Sequence, residues 1–224
     1  MSLLDDIEPV QARTLPVILL LDTSGSMRQD DKIDVLNDSV AEMIRELASV
    51  DAGHGFITLT LIAFGGDSAT VIQKNVPITQ VSFTPLKASG RTPMGGAFTL
   101  ARDLIENRDE ISSKSYRPTM ALVSDGLPVP PLSGELEALV DSDRGAKSSR
   151  FALAVGADAD RELLARFTAG GDVKEASEAA EIRNFLQWVT NTVSQVTLSV
   201  FDPDAKSQSV SDESVARLQA DDAY

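Results

Sequence analysis

The run Val17-Ile18-Leu19-Leu20-Leu21, followed at once by Asp22-Thr23-Ser24-Gly25-Ser26, constrains the fold more than any other stretch of the chain. Unbroken apolar residues leave no polar face. A strand built from them must be covered on both sides, as the central strands of parallel sheets are. The carboxyl end of such a strand is where open α/β sheets bind ligands, and here that end offers one carboxylate and several hydroxyls. Two other segments repeat the design: Ser89-Gly90-Arg91-Thr92-Pro93 opens an expected helix, and Thr119-Met120-Ala121-Leu122-Val123 runs into Ser124-Asp125-Gly126. Every donor in these loops is an oxygen, which suits a hard divalent cation.

Strand-like and helix-like patterns alternate along the chain, the signature of a sheet covered by helices on both faces. Leu15 to Leu21 reads as the first strand. Ile33, Leu36, Val40, Met43, Ile44 and Leu47 recur at helical steps. Phe56 to Phe64 reads as a second strand, turning through Gly65-Gly66-Asp67 into a short partner near Ala69 to Gln73, a hairpin at the sheet edge. Helices are expected at Met94 to Glu106, Glu135 to Arg144, Asp160 to Phe167 and Ala179 to Val196, with strands at Pro118 to Ser124 and Arg150 to Val155. The fold class is α/β: a doubly wound, mostly parallel sheet with one antiparallel edge strand. The expected organisation is an N-terminal extension over 1–14, one domain over 15–200 and an acidic, flexible tail over 201–224.

Asp-x-Ser-x-Ser, then a separate Thr, then Asp-Gly, each at a strand-to-loop transition, resembles the metal-ion-dependent adhesion site of von Willebrand factor type A (VWA) domains. The pattern falls on Asp22, Ser24, Ser26, Thr92 and Asp125. Either loop alone could be a set of turn residues, since Asp and Ser favour turns for local hydrogen bonding; five positions in register make that reading poor. The phrases Leu15-Pro16-Val17, Ser89-Gly90-Arg91-Thr92-Pro93-Met94-Gly95 and Arg117-Pro118 are similar to the bacterial tellurium-resistance, TerY-like branch of the family. The resemblance implies that Ser24, Ser26 and Thr92 bind the ion through hydroxyls, with Asp22 and Asp125 touching it directly or through water. Magnesium is the expected ion, with manganese or calcium as substitutes. Two carboxylates and a few hydroxyls cannot fill an octahedral shell, so one position is left for an acidic side chain of a partner protein. The branch further implies an adaptor in a stress-response or signalling assembly, beside a kinase and phosphatase. An accessory subunit of an ATP-driven chelatase or remodelling machine fits the same residues.

Composition narrows the remaining classes. Apolar residues make up 42% of the 224, enough for a core, and there is no cysteine for a disulfide or a thiolate zinc site. The formal charge of −14 opposes binding to nucleic acid or an anionic membrane surface. Neither a signal peptide nor a spanning segment is evident, so a cytoplasmic location is expected. No enzymatic activity is expected either. The single histidine, His54, lies in a turn entering the second strand, and the sequence holds no Gly-x-Ser-x-Gly nucleophile elbow. A magnesium-dependent phosphotransferase using Asp22 would want a second acid where Ser24 stands, and a lysine near the later loop. Arg28 and Arg91 flank the expected site as candidates for steering acidic ligands. Asp221, Asp222 and the terminal carboxylate of Tyr224 make the tail a chemically matched alternative occupant of the open metal position.

Overall fold

A computed structural model of the chain describes residues 13–54, 56–171 and 173–201. Most of the 1–14 extension and nearly all of the 201–224 tail, including its acidic end, lie outside the described residues.

Among the described residues six strands form one sheet, β1 (Leu15–Asp22), β2 (Ile57–Gly65), β3 (Ser68–Pro77), β4 (Thr119–Ser124), β5 (Ser149–Val155) and β6 (Val173–Ala176), in the spatial order β3-β2-β1-β4-β5-β6. β3 alone is antiparallel, pairing with β2 as an edge hairpin. β1 is parallel to β2 on one side and to β4 on the other, with Val17 opposite both Leu59 and Thr119. Every residue of β1 is buried, which is why its sequence shows no alternation.

The alternation is present in space instead. Leu15, Val17, Leu19 and Leu21 enter one apolar cluster, with Leu36, Val40 and Leu47 of α1 (Lys32–Asp51) and Phe185, Leu186 and Val189 of α5 (Ala180–Phe201). Ile18 and Leu20 point to the other face, into a cluster with Phe98 and Ala101 of α2 (Met94–Glu106), Leu136 and Leu139 of α3 (Glu135–Val140), and Leu164 and Phe167 of α4 (Arg161–Phe167). Each fully buried leucine stabilises by about 1.5–3 kcal/mol. The expected class is therefore the observed one, with helices on both faces of a mostly parallel sheet.

Several boundaries differ for local reasons. α3 stops at Val140 instead of reaching Arg144, because the Ser142 hydroxyl donates to the Leu139 carbonyl and the chain turns. α5 continues past Val196 to Phe201, and its Thr197 hydroxyl is buried and bonded back to Val193. A 3-10 segment, Gly25–Asp31, and the four-residue edge strand β6 carry no sequence periodicity and are additions to the expected elements.

Candidate metal centre

The order of connections reverses at β1: the chain moves from β1 to β2 on one side, then to β4 on the other. Ligands in open α/β sheets bind at such a switch point, outside the carboxyl ends of the diverging strands. Asp22 ends β1, Ser124 ends β4, and Asp125 follows.

The five predicted donors arrive there from three loops. Asp22 is fully buried; its Oδ1 accepts from the Ser24 amide at 2.8 Å and its Oδ2 from the Ser124 hydroxyl at 2.6 Å. Ser26 Oγ donates to Asp125 Oδ1 at 2.7 Å and lies 2.9 Å from Ser24 Oγ. A hydroxyl has one proton, so the one shared between the serines comes from Ser24. The result is a directed chain, Ser24 to Ser26 to Asp125. Thr92 is buried, and its Oγ1 stands 3.8 Å from where a Cβ on Gly126 would sit, which places it beside the Asp125 loop.

Backbone contacts stitch these loops together. The Thr23 amide donates to Phe64 at 2.9 Å, Ser89 to Thr23 at 2.8 Å, Gly66 to Ser89 at 2.6 Å and Gly25 to Gly90 at 3.0 Å. The crossing is close enough to require glycine. A Cβ on Gly90, whose φ is +64°, would lie 2.5 Å from the Gly66 Cα. Pro93 precedes α2, and the Thr92 carbonyl accepts from the amides of Met94 and Val129, so the threonine is held by its backbone while its side chain faces the rim.

Burial dominates the electrostatics. It pushes the Asp22 carboxyl up from 3.8 to about 6, against the lowering effect of the Ser124 and Ser24 hydrogen bonds, and the neighbouring Asp125 charge adds to the rise. A divalent ion would favour the ionised form and reverse that shift.

The donor chemistry fits a hard cation: oxygens alone, two of them carboxylates, gathered at one rim. Among the described residues no group of three or more His, Cys, Asp or Glu side chains could hold a metal, so any ion here depends on hydroxyls. Five protein donors cannot fill an octahedral shell, so a coordination position is left for an outside oxygen.

Two residues join the site that the sequence reading did not single out. Ser124 bridges β4 to Asp22. Lys32, the first residue of α1, places Nζ 3.0 Å from Asp125 Oδ2. A lysine therefore stands beside the later loop, supplied by a segment 93 positions earlier. Spacing gave no signal for it; only the turn through Asp30 and Asp31, both at positive φ, aims it back. The flanking arginines divide. Arg28 donates to the Ala88 carbonyl at 2.8 Å and braces the Thr92 loop, whereas Arg91 is exposed and faces Asp67 at 3.4 Å.

Residues 17–127 match the family model of the von Willebrand factor type A domain. No curated protein matches the chain. Similar solved structures include proximal thread matrix protein 1 from the mussel byssus (15% identity, TM-score 0.61, covering 80% of this chain and 47% of that one). Another structure of that byssus protein has zinc in its metal-ion-dependent adhesion site (18% identity, TM-score 0.59, covering 82% of this chain and 46% of that one). The ArnB paralog VWA2 from Sulfolobus acidocaldarius is also similar (14%, TM-score 0.59, covering 79% and 45%). So is the pilus adhesin SpaC from Lactobacillus rhamnosus GG (14%, TM-score 0.68, covering 83% and 31%). The chain spans less than half the length of each of these proteins.

Proposed function

We propose that this chain, which carries a von Willebrand factor type A domain, is a non-enzymatic, divalent-cation-dependent protein-binding module. Ser24, Ser26 and Thr92 would hold the ion through hydroxyl oxygens, Asp22 and Asp125 through carboxylates or intervening water. The chemistry the ion supplies is a Lewis-acidic position for one outside oxygen, and an acidic side chain of a partner protein suits it. The protein's own residues do the rest. The stitched loops fix the donors, and the exposed Leu127 and Val129 beside the Asp125 loop give a partner an apolar shelf.

The observation that carries this reading is the convergence of five oxygen donors from three loops at the β1/β4 switch point. Magnesium is the preferred ion, with manganese or calcium able to substitute. The similarity of Leu15-Pro16-Val17, Ser89 to Gly95 and Arg117-Pro118 to the TerY-like branch supports an adaptor role in a bacterial stress-response or signalling assembly in the cytoplasm, beside a kinase and phosphatase. Among the described residues no helix is long and apolar enough to cross a membrane, which is compatible with that location. An accessory subunit of an ATP-driven machine would use the same face.

Titration calorimetry of the metal-free protein with magnesium should give one dominant site, lost in Asp22→Ala and weakened at least about tenfold in Thr92→Ala. Unchanged binding in both variants would sink the assignment. Absence of phosphomonoester or nucleotide hydrolysis by the magnesium-loaded protein separates the adaptor from the Asp22 phosphotransferase, for which turnover abolished by Asp22→Asn is the signature.

A further inference from the structure

Lys32 sits in an unfavourable place for a cation, the first turn of a helix, where the backbone amides already present partial positive charge. Its approach to that place is also unusual, because the two preceding residues, Asp30 and Asp31, take consecutive left-handed φ angles of +53° and +57°, a region that aspartate visits as a single residue and not in runs. Strain and an adverse dipole persist where the surroundings over-determine them. What offsets them here is the Asp125 carboxylate, 3.0 Å from Nζ, with the Asp125 side chain wholly buried and that of Lys32 only 14% exposed. Nζ lies beside Gly156 at the end of β5, 3.9 Å from where a Cβ there would sit, an ordinary contact distance. The pair is an internal part of the centre and no surface ion pair.

Counting charge shows what the ammonium does. Asp22 and Asp125 alone bring two negative charges, which a divalent ion would cancel, leaving a neutral face with little electrostatic pull on a carboxylate. With Lys32 counted, the empty centre carries one negative charge and the loaded centre one positive charge.

We propose that Lys32 is a resident countercharge of the metal centre, one that weakens divalent-ion uptake and in return keeps the loaded face cationic, so that it captures carboxylate ligands. The inference rests on the metal-binding reading above and adds to it a positioning residue with two opposite effects. Asp125 gives one oxygen to Ser26 and the other to Lys32, so the ammonium also limits how the carboxylate can turn toward an ion.

The test uses the full chain with manganese as the metal probe and acetate as the carboxylate probe. Manganese uptake is read by calorimetry, and acetate by paramagnetic broadening of its methyl signal with protein in excess over metal. Removing a unit charge a few ångströms away changes each affinity by about tenfold at intermediate effective dielectric. Lys32→Gln and Lys32→Met should each bind manganese about tenfold more tightly and acetate about tenfold more weakly, while Lys32→Arg keeps both near the parent values. Weaker manganese binding in Lys32→Gln would show that the lysine merely props Asp125 in place and would overturn the proposal, as would affinities for both probes that move together or stay unchanged. If the parent protein takes up no manganese, the metal-binding reading itself fails, an outcome distinct from a parent that binds and a variant that does not differ. Matching melting curves and circular dichroism of the variants guard against loss of fold.

Discussion

Asp22 concentrates the physical tension of the site in one side chain. Its carboxyl is fully buried, accepts two hydrogen bonds and still ionises only near pH 6. A carboxylate whose folded pKa lies above its unfolded one makes the native state bind more protons than the denatured state across that window. Its stabilising contribution is full below about pH 4 and disappears as the pH rises through about 6. The shift from 3.8 to about 6 corresponds to about 3 kcal/mol. The metal-free protein should therefore lose about that much stability from this residue between pH 4 and pH 7. Asp22→Asn, uncharged throughout, should show no such loss. Urea midpoints in chelator from pH 4.5 to 7.5 measure this as a parent-to-variant gap that widens in favour of the variant as pH rises. A gap independent of pH would remove burial as the cause of the shift. At this scale the five side chains that gather at the rim were legible in the sequence as a group, because Asp-x-Ser-x-Ser, Thr and Asp-Gly are local patterns. Lys32 and Ser124 were not, because their roles exist only through contacts 93 and 102 positions away.

At the scale of elements, the centre is a crossing of loops more than a property of any one strand. Gly66 and Gly90 touch at their backbones, and the amides of Ser89, Gly25 and Arg91 close hydrogen bonds around them. Gly90→Ala would put a methyl group 2.5 Å from the Gly66 Cα at a φ of +64°. The two loops would have to separate, displacing Thr92 with them. A stability loss of about 2–4 kcal/mol is expected from the combined overpacking and backbone strain. Magnesium affinity should fall as well, checked by thermal melts and calorimetry on the same preparation. Melts and binding equal to the parent would mean that the crossing tolerates a side chain. The elements differ in how strongly their sequences announce them. α2 was legible to the residue, since Pro93 marks its start and Met94, Ala97, Phe98 and Ala101 keep a strict apolar stripe. β6 was not, because Val173-Lys174-Glu175-Ala176 is a short edge strand whose middle residues face solvent and therefore show no apolar signature.

For the molecule as a whole, the two apolar clusters on either side of the sheet supply stability independently of the rim. Chelation should therefore leave the helical circular dichroism intact, in contrast to small domains in which a metal replaces a core. Binding still couples to folding by mass action, and an ion at about 100 times its dissociation constant adds about 2.7 kcal/mol. For a chain of this size that raises the melting temperature by about 5–10 °C. Scanning calorimetry with magnesium and with chelator reads both quantities; a collapse of secondary structure on chelation would refute the rim picture.

The run of α5 alongside α1 has a mechanical consequence. Arg183 faces Glu42 and Gln187 bonds to Glu46, so the two helices descend together, away from the rim where α1 begins at Lys32. Leu15 starts β1 at that lower end, beside Phe56 at the entry to β2. Both ends of the described fold thus lie at the pole opposite Asp22. A partner gripping the rim while the chain is tethered through its β1 end would place tension along β1 itself. The load would travel from Asp22 to Leu15 through eight residues of covalent backbone, flanked on both sides by parallel strands that resist sliding, and the helices would stay out of the line of force.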